Sequence, residues 1–378
     1  MSDERLHRDR LVAEAVDRVG SDDFGEPTWQ EGLDLLLEGL RSEARLHELG
    51  VEIAAGEVVN QLANRLGIVE WRHRHPEIAA VGIRGPIVIV GQPRTGTTIL
   101  HDLLALDHSL RAPLTWEVDR PLPPPETASY HTDPRIAEVD ATLALSDSLI
   151  PGFTNFHPMG ATLAQECVRI TASDFRSMIF PIQFRLPTYN RWLLHEADLA
   201  PAYRWHRLFL QHLQSRHPAT QWLLKSPAHL WHLEQLVGEY PDAIIVQTHR
   251  DPLRVIASTS ALAAHLRRMA SDETDLTEIA AGYAEDIFIG LDRGLDARTR
   301  DVVPDDRIVD VHITAFVHDP LATVHRLSGA LGRDLAAPTE QRMRLFLAEN
   351  PGDGGGGGTR YRFTDTGLDP DALRARAW

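Results

Sequence analysis

Ile87-Val88-Ile89-Val90 forms an unbroken apolar, β-branched run. Such a run reads as a short strand buried on both faces, the usual state in a parallel sheet. Gly91, Pro93 and Gly96 break it, and residues 97–106 resume with apolar positions at helical spacing. Strand patterns return at Thr220-Gln221-Trp222-Leu223-Leu224 and at Ala243-Ile244-Ile245-Val246-Gln247-Thr248. The segment 307–311 adds another, followed by a helix from about 320 to 331, and residues 111–117 read as a short strand or extended segment. Strands separated by helical patterns predict an α/β fold, a parallel sheet with flanking helices and functional residues at strand C-termini.

The remainder reads as helix. Residues 1–80 form a helical region packing on the core, with Leu33, Leu36, Leu37 and Leu40, then Ile53, Val58, Leu62 and Leu66, at three- and four-residue spacing. Residues 81–378 form the α/β domain. Within it, 126–215 is a helical insert carrying Phe153, Phe156, Phe175, Phe180, Phe184, Trp192 and Trp205. Most of these rings are expected in the core, with one or two left to wall an acceptor pocket. Residues 350–378 hold a glycine-rich loop and a terminal helix.

Charge narrows the partners. The 378 residues carry 38 basic and 54 acidic side chains, a net charge of −16. No general basic surface is left for nucleic acid or an anionic membrane, so any polyanion site must be a local concentration of cations. The lone Cys167 excludes an internal disulfide framework and fits a reducing compartment. With a charged N-terminus and no apolar run long enough to span a bilayer, the expectation is a cytoplasmic protein.

The loop after the first strand carries the clearest chemistry. A glycine-containing turn leading into a helix N-terminus aims unpaired N–H groups and the helix dipole at one point, an anion cradle. Gly91 and Gly96 have the spacing of a nucleotide-hydrolase phosphate loop, but Thr97 stands where that loop needs Lys. The cation is Arg94 instead, whose fork suits a bidentate grip on phosphate or sulfate. Pro93-Arg94-Thr95-Gly96-Thr97-Thr98 resembles the 5′-phosphosulfate loop of sulfotransferases that use 3′-phosphoadenosine 5′-phosphosulfate (PAPS), commonly P-K/R-S/T-G-T-T.

The resemblance extends over about residues 84–335. It implies a P-loop-like sulfotransferase fold that holds PAPS and releases 3′-phosphoadenosine 5′-phosphate (PAP) without a metal. In that family an Arg, with a Ser eight residues on, holds the 3′-phosphate; Arg250 and Ser258 have that spacing. Lys225-Ser226-Pro227 resembles the K-S/T-P segment of the glycosaminoglycan-type members, with Lys225 beside the leaving group. The cytosolic small-molecule members use K-T-H, but Pro227 occupies the His position and His229 is displaced by two. Other members use a Glu after the phosphate-loop helix as base, which Trp116-Glu117 matches. Glu117 is therefore expected as the base ahead of His229, with Glu166 and His157 behind both. Arg360, after the glycine run, resembles the basic C-terminal loop that covers the 3′-phosphate. The implied acceptor is a small, partly apolar molecule with a hydroxyl or amine, and homodimers are common in such families. The alternatives are a kinase or NTPase on the same loop and a non-catalytic adenine-nucleotide-binding protein.

Overall fold

The structure is a computed structural model that describes residues 4–149, 159–350 and 362–377. Three helices open the chain: α1 (Arg8–Val19), α2 (Trp29–Ser42) and α3 (Glu48–Arg74). Strand β1 (Ile87–Gly91) leads into α4 (Thr97–Ala105), and a short helix α5 (Thr115–Asp119) follows. The insert supplies α6 (Pro134–Leu149), α7 (Cys167–Thr171), α8 (Ile179–Gln183), α9 (Pro187–His195) and α10 (Ala200–Gln214). The α/β alternation then resumes with β2 (Leu223–Lys225), α11 (Leu233–Glu239), β3 (Ile244–His249) and α12 (Pro252–Arg267). The chain continues through α13 (Leu276–Thr299), β4 (Ile308–His312), α14 (Ile313–His318), α15 (Pro320–Ala330), α16 (Ala337–Glu349) and α17 (Pro370–Ala377).

The four strands pair in the order β2-β1-β3-β4, every pair parallel. The chain moves from β1 to one side and from β3 to the other, so the winding reverses between β1 and β3. A crevice opens beyond the strand C-termini at such a point, and ligands of open α/β sheets bind there. The segments after β1 and β3 carry Arg94 and Arg250.

The pattern of β1 explains its central place. Val88 and Val90 face a core built from the N-terminal helices and the insert, while Ile87 and Ile89 face a second core built with α4, α15 and α16. All four side chains are fully buried, each contributing about 1.5–3 kcal/mol relative to exposure. The N-terminal helices are fastened to the insert by a buried ion pair, Arg65 Nη1 to Asp174 Oδ1 at 3.0 Å. The remaining donors of Arg65 go to the carbonyls of Phe24, Glu26 and Ser173.

One expectation needs correction and another holds. Residues 111–117 do not form a strand: Arg111 makes an isolated parallel bridge to Trp222, and α5 begins at Thr115. Glu117 therefore lies on a short helix rather than at a strand end. The aromatic insert is mainly core, with Phe175, Phe180, Phe184, Trp192 and Trp205 all buried, and Phe184 also reaches the cavity described below. Phe153, Phe156, His157, the glycine run and Arg360 lie outside the described residues.

Candidate active site

The loop between β1 and α4 is held in a conformation that glycine allows. Gly91 has φ +142°, and a Cβ there would meet Thr248 Oγ1 at 2.3 Å and the Thr248 carbonyl at 2.6 Å. Gly96, the N-cap of α4, has φ +86°, and its Cβ would meet Ile313 Cδ1 at 2.4 Å. Arg94 itself sits at φ +63°, a conformation that costs a non-glycine residue about 1–3 kcal/mol. Strain at this position is held by contacts on both sides of the loop. Thr95 Oγ1 donates to the Gln92 carbonyl at 2.5 Å and hydrogen-bonds Thr248 Oγ1 at 2.6 Å. Thr95 thus braces the loop from beneath, while Arg94, Gly96, Thr97 and Thr98 line the cavity.

Arg94 and the end of β3 are tied together. Arg94 Nε donates to Ser258 Oγ at 3.1 Å, and Arg250 Nη1 donates to the Arg94 carbonyl at 2.7 Å. Three residues chosen from sequence spacing therefore meet at the switch point. Arg250 does not pair with its neighbour Asp251, whose carboxylate caps α12 through the Leu253 N–H and pairs with Arg374.

Lys225 joins this cradle to an acidic group. Its ammonium, fully buried at the end of β2, donates to Thr98 Oγ1 at 3.3 Å and forms an ion pair with Glu166. Glu166 is the N-cap residue of α7 and lines the cavity. His101 lies beneath, with Nε2 donating to the Leu223 carbonyl at 3.3 Å. Burial first, and the Lys225 charge second, lower its pKa to about 3, so the ring is neutral.

Glu117 and His229 stand elsewhere. Glu117 is fully buried and both oxygens are occupied: Oε1 accepts from the Leu114 N–H at 2.9 Å, Oε2 from Arg111 Nη2 at 2.8 Å. Arg111 in turn lies over the Trp222 ring at 4.6 Å. Glu117 thus fixes the sheet edge beside β2 and does not line the cavity. His229 hydrogen-bonds Tyr203 Oη through Nδ1 at 2.8 Å, is 2% exposed, and is held far below the ordinary histidine range by burial.

The cavity beyond the cradle measures about 1620 Å³, larger than the roughly 300–1,000 Å³ of most small-molecule sites. Ile179, Pro181 and Ile182 of α8 with Leu262 and Leu266 of α12 form an apolar part of its wall. One face of α3 (Ile53, Glu57, Asn60, Gln61 and Asn64) supplies a polar wall. Arg169 of α7 bridges Glu57 at 2.8 Å and Asp119 at 3.4 Å, and all three line the cavity. Sequence reasoning missed this triad. The helical period of polar residues on α3 was its only local signal, and an exposed face gives the same signal.

Residues 86–337 match the model of the sulfotransferase family. The chain belongs to that family. It is a sulfotransferase, an enzyme that transfers a sulfuryl group, built on the P-loop-like α/β fold. Sulfotransferase STF9 from Mycobacterium avium superposes with a TM-score of 0.90 at 29% identity, covering 99% of this chain and 95% of that one. Sulfotransferase STF1 from Mycobacterium tuberculosis gives 0.86 at 30% identity, covering 98% of both chains. The omega-hydroxy-beta-dihydromenaquinone-9 sulfotransferase Stf3 of M. tuberculosis is 27% identical over 272 residues, 70% of this chain and 67% of the relative. Among the described residues, no helix is long and apolar enough to cross a membrane.

Proposed function

We propose that this sulfotransferase takes its sulfuryl group from PAPS and delivers it to a hydroxyl on a partly apolar small molecule, with Glu166 as general base. The observation that carries the reading is the chain of contacts Arg250–Arg94–Ser258 on one side and Thr98–Lys225–Glu166 on the other. It joins an anion cradle to a carboxylate facing a large, mostly apolar cavity.

Each residue type suits its task. A bisphosphorylated donor needs two anion sites. The loop N–H groups with Arg94 serve the 5′ end, and Arg250 with Ser258 serve the 3′-phosphate. The fit is supported by the loop glycines, whose positive φ lets the loop turn tightly into the N-terminus of α4, where unpaired N–H groups suit a phosphate. Sulfuryl transfer, like phosphoryl transfer, runs through a loose in-line transition state in which charge builds on the leaving oxygen. Lys225 and Arg94 are fixed cations for that charge, and Lys225 is buried. The acceptor hydroxyl must lose its proton, and Glu166 is the carboxylate both tied to Lys225 and open to the cavity. Glu117 has no such access.

The acceptor's apolar character rests on the walls from α8 and α12, and it accords with the omega-hydroxy-beta-dihydromenaquinone-9 named for Stf3. The test is turnover of PAPS with a panel of hydroxylated apolar alcohols in the presence of EDTA, followed as PAP and sulfate-ester formation. The expected result is metal-independent ester formation that is fastest with apolar alcohols. Turnover that needs Mg-ATP, or a polar sugar as the best acceptor, would overturn the reading.

A further inference from the structure

Asp286 on α13 lines the same cavity and takes no part in the chemistry above. Both of its oxygens accept from a single amide, Asn190 Nδ2 of α9, at 3.1 and 2.9 Å. Among the described residues no cation forms an ion pair with it. Arg267, which acts on it through space, donates instead to the Pro181 carbonyl at 2.6 Å. An ionised carboxylate offers about four acceptor positions, so Asp286 keeps capacity for another donor; Arg267 offsets part of its charge through space but forms no ion pair with it.

Two aromatic side chains adjoin it. Trp231 Nε1 donates to the Asp286 carbonyl at 2.8 Å, and Tyr283 lies three residues earlier on the same helix face. Both rings line the cavity, as does Asn190. Aromatic faces attract ammonium groups through their quadrupole, and the attraction grows when the site is desolvated. Burial raises the Asp286 carboxyl to about 6, against the lowering effects of the Asn190 hydrogen bond and the Arg267 charge.

We propose that Asp286, held by Asn190 and flanked by Trp231 and Tyr283, is a recognition site for an ammonium group carried by the acceptor. The favoured substrate is then a hydroxylated amphiphile with a primary, tertiary or quaternary amine, its apolar body against α8 and α12. The group recognised is separate from the hydroxyl that receives the sulfuryl group. Neutral apolar alcohols still enter the cavity but lack this anchor. The assignment of the cavity to the acceptor rests on the reading above, whereas binding of the amine does not require transfer.

The experiment compares two ω-hydroxyalkyl ligands of equal chain length, one ending in trimethylammonium and the other in its uncharged isostere, tert-butyl. Affinities are measured by calorimetry on the full chain in EDTA, for wild type, Asp286→Asn and Tyr283→Leu, with melting temperatures as a check on folding. The expected result is wild-type preference for the ammonium ligand by about tenfold or more. The preference should collapse toward unity in Asp286→Asn and be reduced in Tyr283→Leu. Equal wild-type affinities, or a preference that survives Asp286→Asn, overturn the proposal. Should Asp286→Asn fail to fold, the wild-type ratio and Tyr283→Leu decide alone. Loss of PAPS turnover with this preference intact would sink the transfer reading and leave the amine site standing.

Discussion

The Lys225 ammonium lies within ion-pair distance of the Glu166 carboxylate, joining the end of β2 to the N-cap residue of α7. The same nitrogen reaches Thr98 at the N-terminus of α4. One buried charge therefore sets the distance between the group that would receive the leaving phosphate and the group that would take the acceptor's proton. General-base catalysis contributes about 10²–10⁴ in rate. Glu166→Gln is expected to lower kcat by that order and to leave PAP affinity little changed. Steady-state kinetics with calorimetry checks this. A fall confined to KM would show that Glu166 only binds the acceptor.

Glu117 makes the opposite prediction. It neutralises Arg111 in a fully buried pair and caps α5. Removing one partner of such a pair costs about 3–5 kcal/mol. Glu117→Ala should lower the melting temperature markedly, and whatever protein remains folded should keep its kcat. Chemical denaturation beside single-turnover kinetics separates the two effects. An unchanged melting temperature with lost turnover would restore Glu117 as the base.

The sheet was largely legible in the sequence, because β1 and β3 are apolar on both faces and glycine or a charged residue ends each one. The meeting of Arg94, Arg250 and Ser258 was legible for the same reason: they stand at fixed offsets from strand ends. The surroundings of the candidate bases were not: the fold pairs Glu117 with Arg111 away from the cavity and pairs the cavity-lining Glu166 with Lys225. Asp286, Arg169 and the polar face of α3 were hidden because a cavity-lining face and a solvent-facing one have the same helical period.

Gly96→Ala tests the cradle's backbone. The residue has φ +86°, and its added methyl would lie 2.4 Å from Ile313 Cδ1. The substitution combines backbone strain of about 1–3 kcal/mol with a steric push on α14. PAP affinity should fall tenfold or more, as read by calorimetry, while the far-ultraviolet circular dichroism is retained. Unaltered affinity would mean that the loop does not approach the ligand.

Stability should depend on pH through buried histidines. His101, His206 and His232 are lowered to about 3 and His212 to about 4, in each case mainly by burial. Each binds its proton more readily unfolded, near the ordinary value of about 6.5, so their contribution is complete above pH 6.5 and lost as pH falls toward 3–4. Each such group removes about 1.4 kcal/mol per pH unit below that point. Urea midpoints should hold from pH 7.5 to about 6.5 and fall steadily from there to pH 5, and His206→Gln should flatten that slope. A midpoint independent of pH over that range would contradict the neutral, buried state of these rings.

The most direct test of the account is calorimetric titration of PAP in EDTA, beside Mg-ATP, into wild type and Arg250→Ala. The account predicts tight, metal-independent binding of the bisphosphate by the wild type, weakened a hundredfold or so by loss of a charge-assisted phosphate contact worth about 1.5–3 kcal/mol. Preference for Mg-ATP, or equal PAP affinity in Arg250→Ala, would contradict it.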